Sequence, residues 1–171
     1  GMVTDADGQK QSKSKGNGLD PLDIIEGISL ENLVNKRTTN LMQPRMAERV
    51  AQNTSREFPE GIQAYGTDAL RFTFYSIATR SRTIRFDMNR VEGYHHFCNK
   101  LWNAANFVFI NTNEREIDNS TLDCDVIDTW IVSEMNDTIK LVTQAMDSYR
   151  FDLAAKAIYE FVWDEFCDWY L

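Results

Sequence analysis

The segment KQSKSKGNGLDP, which runs from Lys10 to Pro21, decides how the rest of the chain is interpreted. Three lysines and two serines share its first six residues, and Gly-Asn-Gly follows them directly. Cationic side chains on flexible stems can bind phosphate when small neighbours let the backbone approach closely. Solvated linkers have the same composition, and composition alone favours the linker. The surrounding sequence has to separate the two hypotheses.

The composition predicts a folded, soluble protein. The 171 residues are 43% apolar and 12% aromatic, enough for one substantial core or for one domain and part of another. The net charge of -8 argues against DNA as a partner, because nonspecific DNA binding requires clustered cations. No run of eighteen apolar residues or signal peptide occurs, which predicts a cytoplasmic protein without membrane contact. Three cysteines without C-x-x-C spacing indicate reduced, mostly buried thiols: Cys98, Cys124 and Cys167.

Helix signals dominate the first half of the chain. Proline predicts helix starts at Pro21 and Pro44, and Gly27 is expected to end the first of these helices. A further helix should follow Thr67 and Asp68, either of which can cap its first turn.

Three longer amphipathic helices are predicted over residues 88–111, 123–148 and 152–171. Their short connections favour an antiparallel helical bundle and a mainly α fold. In the last helix the apolar stripe comprises Phe151, Ala154, Ala155, Ile158, Phe161, Val162 and Trp169. The chain stops at DWYL without a capping signal, which we interpret as a truncated bundle.

The helix over 88–111 has two contrasting faces. At 100° per residue its core stripe is expected to comprise Val91, Tyr94, Cys98, Leu101, Trp102, Ala105, Val108 and Phe109. The opposite face carries Asn89, His96, Lys100, Asn103 and Phe107. An aromatic ring among amides and cations can stack unpaired bases. Periodicity alone favours the other alternative, a solvated face in which Phe107 packs against a neighbouring segment. His95 and His96 have no cysteine or carboxylate at ligand spacing, so no metal site is predicted.

The stretch KQSKSKGNGLDPLDII resembles the KMSKS signature loop of class I aminoacyl-tRNA synthetases. In that family the loop closes over ATP, and its lysines stabilise the phosphates while the amino acid attacks. The resemblance implies that Lys10 and Lys13 are catalytic and that Ser12 and Ser14 bind ATP with them. Gln11 stands where the family usually has methionine, which affects loop packing more than phosphate contact.

The remaining chain is similar to the valyl branch of this family in several ordered segments. They are NLMQP, FPEGIQAYGTDALRFT, FDMNRVEGYHHFCNKLWNAANFV, YRFDLAAKAIYEF and FCDWYL. The isoleucyl and leucyl branches share the loop and the Tyr-Gly-x-Asp-x-x-Arg segment, so they remain alternatives. The resemblance implies valine, ATP with magnesium and the valine-accepting tRNA as ligands of a monomeric full-length enzyme. The family's His-Ile-Gly-His signature and nucleotide-binding sheet are absent, so this chain by itself is expected to be inactive, with no cofactor bound.

The resemblance also implies a division into three parts. Residues 1–17 would be the signature loop, 18–80 a stem-contact-like α+β connecting domain, and 81–171 an anticodon-binding helical bundle. Lys100 and Phe107 match anticodon contacts of the family. The accompanying positions are Asn89, His96, Asn103 and Asn106, and the first and last of these replace arginines of relatives. Two other functions stay open: a non-catalytic RNA-binding module and a helical protein–protein adaptor.

Overall fold

A computed structural model describes residues 2–5, 8–79, 81–112 and 124–171. The chain divides into two compact units, Gly1–His95 and His96–Leu171. Helices dominate the described residues of both units, so the prediction of a mainly α fold is confirmed.

The described residues of the first unit form two short strands, four complete helices and the beginning of a fifth, α5 at Met88–Thr112. Strand β1, Met2–Thr4, pairs in parallel with β2, Thr83–Arg85, and Val3 lies opposite Ile84. The helices are α1 at Pro21–Glu26, α2 at Leu30–Thr38, α3 at Ala47–Glu57 and α4 at Thr67–Ile77. Short 3-10 turns at Lys13–Lys15 and Pro44–Met46 precede α1 and α3.

Local sequence explains where α1 begins and ends. The Asp20 carboxylate accepts a hydrogen bond from the Leu22 N–H at 3.1 Å, and Pro21 occupies the first helical position. Gly27 ends the helix at φ +81°, a conformation that glycine adopts without strain. The predicted start at Pro21 and stop at Gly27 are therefore confirmed.

The predicted cap of α4 is wrong. Thr67 is already the first helical residue, and Gly66 at φ +82° occupies the cap position without a side-chain hydrogen bond. The Gly66 N–H instead donates to the Ile25 carbonyl at 3.1 Å. The chain therefore enters α4 through a backbone contact with α1, which a local capping pattern does not reveal.

Two apolar clusters form the core of the first unit. One comprises Ile24, Ala69, Leu70, Ile77, Phe86 and Val91, and the other comprises Leu33, Phe58 and Ile62. The completely buried hydroxyls of Thr54 and Thr73 donate to carbonyls one turn earlier in their own helices, at 2.7 and 2.8 Å. The other buried polar side chains are also paired: the Thr4 hydroxyl donates to the Ile84 carbonyl, and the Asp23 carboxylate accepts from Lys36.

The second unit contains an antiparallel helix pair. Its helices are the later part of α5, Met88–Thr112, then α6 at Val126–Asp147, α7 at Phe151–Glu160 and a π-helix at Phe161–Tyr170. Asp125 starts α6 with a capping box, and its carboxylate accepts from the Ile127 and Asp128 N–H groups. Only three residues, 148–150, separate α6 from α7, so the two helices run antiparallel and the predicted helical bundle is confirmed.

The predicted core stripe of α5 is wrong in its second half. Leu101, Trp102 and Phe109 are exposed, whereas Phe97 and Ala104 are buried. At 100° per residue, the buried face lies roughly a quarter turn from the predicted one. Helix α5 contributes to two units, and a single stripe cannot describe packing against two different sets of neighbours.

The apolar stripe of the last helix also changes before the chain ends. Ala154 and Ala155 are buried as expected, but Trp169 is exposed. From Phe161 onward the backbone is a π-helix, whose hydrogen bonds join residues five apart rather than four. The wider turn shifts every later side chain away from the α-helical stripe.

The cysteines differ from the prediction of mostly buried thiols. Cys124 is exposed, and Cys98 and Cys167 are only half-buried. Burial raises the pKa of the Cys167 thiol. Among the described residues, no helix combines the length and apolar character needed to cross a membrane.

We predict that Leu33→Ala lowers the free energy of unfolding by about 2–5 kcal/mol, because Leu33 is 1% exposed at the centre of its cluster. Leu22→Ala is the matched control, since Leu22 is 59% exposed and should change stability by less than about 0.5 kcal/mol. Urea denaturation measures both. Equal losses for the two variants would contradict this description of the core.

Candidate functional site

The lysine-rich segment forms a tight turn. Its 3-10 helix, Lys13–Lys15, ends at Gly16, which has the left-handed conformation at φ +70°. The Lys15 N–H donates to the Ser12 carbonyl and the Gly16 N–H to the Lys13 carbonyl, each at 3.1 Å. We call residues 12–16 the signature turn. The lysine side chains therefore extend from a folded, hydrogen-bonded backbone and not from a solvated linker.

The Asn17 side chain braces the signature turn from behind. Its Oδ1 accepts from the Ser12 N–H at 2.9 Å, and its Nδ2 donates to the Asp5 carboxylate at 2.8 Å and to the Lys10 carbonyl at 3.3 Å. The hydroxyls of Ser12 and Ser14 lie 2.9 Å apart, within hydrogen-bond distance of each other. The predicted serines therefore stand side by side.

The signature turn rests against α2 and the segment that follows it. Arg37 Nε donates to the Gly16 carbonyl at 2.8 Å, and the Met42 N–H donates to the Ser14 carbonyl at 3.0 Å. A Cβ atom on Gly16 would lie 2.7 Å from the Arg37 carbonyl oxygen and 2.8 Å from Val50 Cγ1. Only glycine fits there, because both the close approach and the positive φ exclude a side chain.

The signature lysines extend into solvent. The Lys13 side chain is 93% exposed, and its Nζ lies 4.0 Å from Asp20; Lys10 is also exposed. An ion pair at that distance and exposure contributes little, so Lys13 can turn to another anion at small cost. Lys36 is held more closely. It contacts Asp23 at 2.6 Å and Asp20 at 3.7 Å, and the hydrogen bond that it donates to Asp23 raises the pKa of Lys36.

A row of arginines, not predicted from the sequence, extends from the 3-10 turn at Pro44–Met46 along α3. Arg45, Arg49 and Arg56 are exposed on the side opposite the buried residues Val50 and Thr54. The spacings of four and seven residues could have revealed this row, because they repeat on one helix face.

Arg49 and Arg56 of this row line a cleft of about 770 Å³ in the first unit together with Lys15, and Asp5, Glu57 and Asp87 also line it. Positive charge is also unevenly distributed along the sequence. Residues 1–95 contain thirteen Lys and Arg against twelve Asp and Glu, whereas residues 96–171 contain five against fourteen. The first unit can therefore attract a polyanion despite the net charge of the chain.

The predicted base-stacking face of α5 is largely exposed. Asn89, His96 and Asn103 are exposed, Asn106 is half-buried, and Phe107 is 52% exposed. Such an arrangement leaves the Phe107 ring accessible beside polar groups. Exposure alone does not distinguish Phe107, because other aromatic residues of the same helix are exposed as well.

Lys100 is not arranged like the other members of that face. Its Nζ lies 2.5 Å from the Asp168 carboxylate and 3.9 Å from the centre of the Trp163 ring. The Trp163 ring stacks in turn on Tyr159, and Phe97 lies against both rings. With a side chain that is 27% exposed, Lys100 packs inside the second unit. The structure therefore does not bring an unpaired Lys100 together with Phe107.

The adjacent histidines have different environments. His95 Nδ1 lies 2.8 Å from the Tyr65 carbonyl, which ties α5 to the segment before α4, and His96 is exposed. Within residues 2–5, 8–79, 81–112 and 124–171, no three metal-ligating side chains come together.

Two family models match this chain. Residues 1–87 match tRNA synthetases class I (I, L, M and V), and residues 128–171 match the anticodon-binding domain of tRNA ligase. The first match includes the signature turn and helices α1 to α4. The chain therefore belongs to the class I tRNA synthetases of the I, L, M and V group.

Curated relatives narrow the similarity within that group. The chain is 54% identical over 173 residues to proteins named valine–tRNA ligase from Legionella pneumophila strains Lens, Paris and Philadelphia 1. These alignments include 100% of this chain but only 19% of each relative. The chain thus spans about a fifth of the length of the curated relatives it matches.

We predict that Gly16→Ala lowers the free energy of unfolding by about 1–3 kcal/mol, because a side chain there combines positive φ with contacts below 3 Å. Gly8→Ala provides the control. Gly8 also has positive φ, +78°, but nothing lies within 4 Å of its added Cβ, so a smaller loss is expected. Thermal or urea unfolding measures the difference. A Gly16→Ala variant as stable as Gly8→Ala would show that the turn does not depend on this contact.

Proposed function

We propose that the chain is part of a valine–tRNA ligase, which uses ATP to attach valine to its tRNA. The observation that carries the proposal is the signature turn, a glycine-closed turn seated on α2 with exposed lysines, within a chain of the class I synthetase family. The 54% identity to valine–tRNA ligases supports valine rather than the other amino acids of this family group. A cytoplasmic, monomeric enzyme is part of the same proposal.

In this proposal the signature turn binds the phosphates of ATP. As valine's carboxylate attacks the α-phosphate, negative charge grows on the phosphate oxygens and on the departing pyrophosphate. Lys10 and Lys13 would meet that charge, and the hydroxyls of Ser12 and Ser14 can donate to phosphate oxygens. A turn that is folded beforehand contributes most, because its cations need little reorganisation when the charge develops.

Magnesium would accompany ATP and neutralise part of the phosphate charge. Mg²⁺ in nucleotide sites is held mainly by phosphate oxygens and water, with one or two carboxylates. The signature turn has no carboxylate, and its exposed side chains are the lysines Lys13 and Lys15, whose ammonium groups repel a divalent cation. We therefore assign the metal no ligand among the residues of the turn.

Two surfaces would bind tRNA. Arg49 and Arg56 of α3, with Lys15, would provide positive charge for the phosphate backbone without reading sequence. The exposed face of α5 that carries His96, Asn103 and Phe107 offers a ring for stacking and amides for base edges. Asn89 and Asn106 would adjoin this face. Lys100 would contribute only after leaving Asp168 and the Trp163 ring.

We predict that Lys13→Ala in the full-length protein slows valine-dependent ATP–pyrophosphate exchange. The activation free energy should rise by about 2–4 kcal/mol, while valine affinity stays nearly constant. A lysine that meets charge mainly in the transition state acts on kcat. Lys140→Ala is the matched control, since Lys140 is 69% exposed and lies on α6. Equal losses of valine affinity and rate would contradict the role assigned to Lys13. Faster exchange with isoleucine or leucine would assign the protein to another branch.

We predict that Phe107→Ala weakens binding of the valine anticodon stem-loop by about 1–3 kcal/mol, the range for one stacked base. Phe109→Ala is the control on the same helix, because Phe109 is also exposed, at 66%, but lies on a different face. Fluorescence titration measures both affinities, and thermal unfolding checks that both variants fold. Equal weakening by the two variants would mean that general exposure of aromatic rings, and not the proposed face, binds RNA.

A further inference from the structure

The contacts of Arg37 indicate a role for this residue in holding the signature turn. This inference rests on the proposed function and goes beyond it. Its side chain is only 10% exposed, although it is a charged residue near the end of the short helix α2. Charged side chains are rarely so buried unless their hydrogen bonds are satisfied. Arg37 therefore has specific partners rather than a solvated position.

Three partners hold the guanidinium of Arg37. Nε donates to the Gly16 carbonyl at 2.8 Å, Nη1 donates to the Glu57 carboxylate at 3.1 Å, and the group lies 5.8 Å from the centre of the Phe58 ring. Glu57 and Phe58 are at the end of α3, whereas Gly16 closes the signature turn. One planar, permanently charged group thus joins the turn to the end of α3.

Backbone atoms of Arg37 and of the segment after it also hold the turn in place. The Arg37 carbonyl oxygen would be 2.7 Å from a Cβ on Gly16, so the turn already lies in close contact with this backbone. The Met42 N–H, five residues later, holds the Ser14 carbonyl at 3.0 Å. The segment from Arg37 to Met42 therefore holds the turn at two points, its middle residue Ser14 and its last residue Gly16.

We propose that Arg37 is a positioning residue, which fixes the signature turn through the Gly16 carbonyl and so sets where Lys13 meets the ATP phosphates. Arg37 itself does not touch the nucleotide in this proposal. Without it the turn keeps its local hydrogen bonds and its Asn17 brace but loses the contact that ties Gly16 to α2 and α3. A displacement of about 1 Å at a reacting group can lower a rate as much as a hundredfold.

The first measurement is hydrogen exchange in the full-length protein without substrates. In Arg37→Gln, amides of residues 12–18 should exchange at least about tenfold faster than in the wild type, because opening of the turn becomes easier. Amides of α4 should be unaffected. Arg71→Gln is the matched control, since Arg71 is an exposed arginine on α4. Unchanged exchange in residues 12–18 of a folded Arg37→Gln variant would overturn the proposal.

The second measurement separates positioning from general stability. Arg37→Gln should lower kcat for valine-dependent ATP–pyrophosphate exchange by about 10–100-fold with the KM for valine within about twofold. In a Lys13→Ala background the same substitution should lower kcat by much less than in the wild type, because the lysine that it positions is already absent and only the serine contacts of the turn are left to displace. An additive loss in that background would mean that Arg37 acts through stability, and would overturn the proposal.

Two further outcomes are distinguishable. If Arg37→Gln does not fold, Arg37→Lys replaces it, since lysine can keep the Glu57 ion pair but lacks the arginine fork, and the same exchange result is expected. If the wild-type protein shows no valine-dependent exchange reaction, the proposed function fails. In that case the hydrogen-exchange comparison still decides whether Arg37 holds the turn.

Discussion

The close contact between Gly16 and α2 is the constraint on which the site depends. A turn rich in lysine repels itself and would remain solvated if nothing held it. Gly16 can approach the Arg37 carbonyl because it has no side chain, and its own carbonyl accepts a hydrogen bond from Arg37 Nε at 2.8 Å. The contacts that hold the turn in place are made by its backbone, so the side chains of Lys13 and Lys15 remain exposed. Exposed cations on a fixed backbone are what a phosphate site requires.

Charge and chemistry are divided between the two units. The first unit holds most of the basic residues, both in the signature turn and along α3, and it would meet phosphates. The second unit is strongly acidic, and its proposed RNA face relies on an aromatic ring and amides instead of cations. Stacking on a ring does not require positive charge, so a net charge of -8 is compatible with RNA binding while it disfavours nonspecific binding of nucleic acid.

The sequence predicted those features that depend on local rules. Pro21 and Gly27 mark the start and end of α1, because proline presets φ and glycine accepts a positive φ. Only three residues separate α6 from α7, so these two helices have to run antiparallel. Features that depend on distant partners were not predictable in this way. The Arg37–Gly16 bond joins residues twenty-one apart, and Lys100 was assigned to an outer face because its partner Asp168 lies sixty-eight residues away. Helical periodicity predicted the wrong buried face for α5, because that helix belongs to two units. It also predicted the wrong face after Phe161, because the backbone there is a wider π-helix.

Chemical modification of lysines in the full-length protein tests the central claim most directly, namely that the signature turn meets the phosphates of ATP. An amine-acylating reagent should modify Lys13 readily in the free protein, because its side chain is 93% exposed. Added ATP and valine should protect Lys13, whereas Lys140, 69% exposed on α6, should react at the same rate throughout. Mass spectrometry of the peptides measures both rates in one sample. Equal modification of Lys13 with and without ATP and valine would contradict the account.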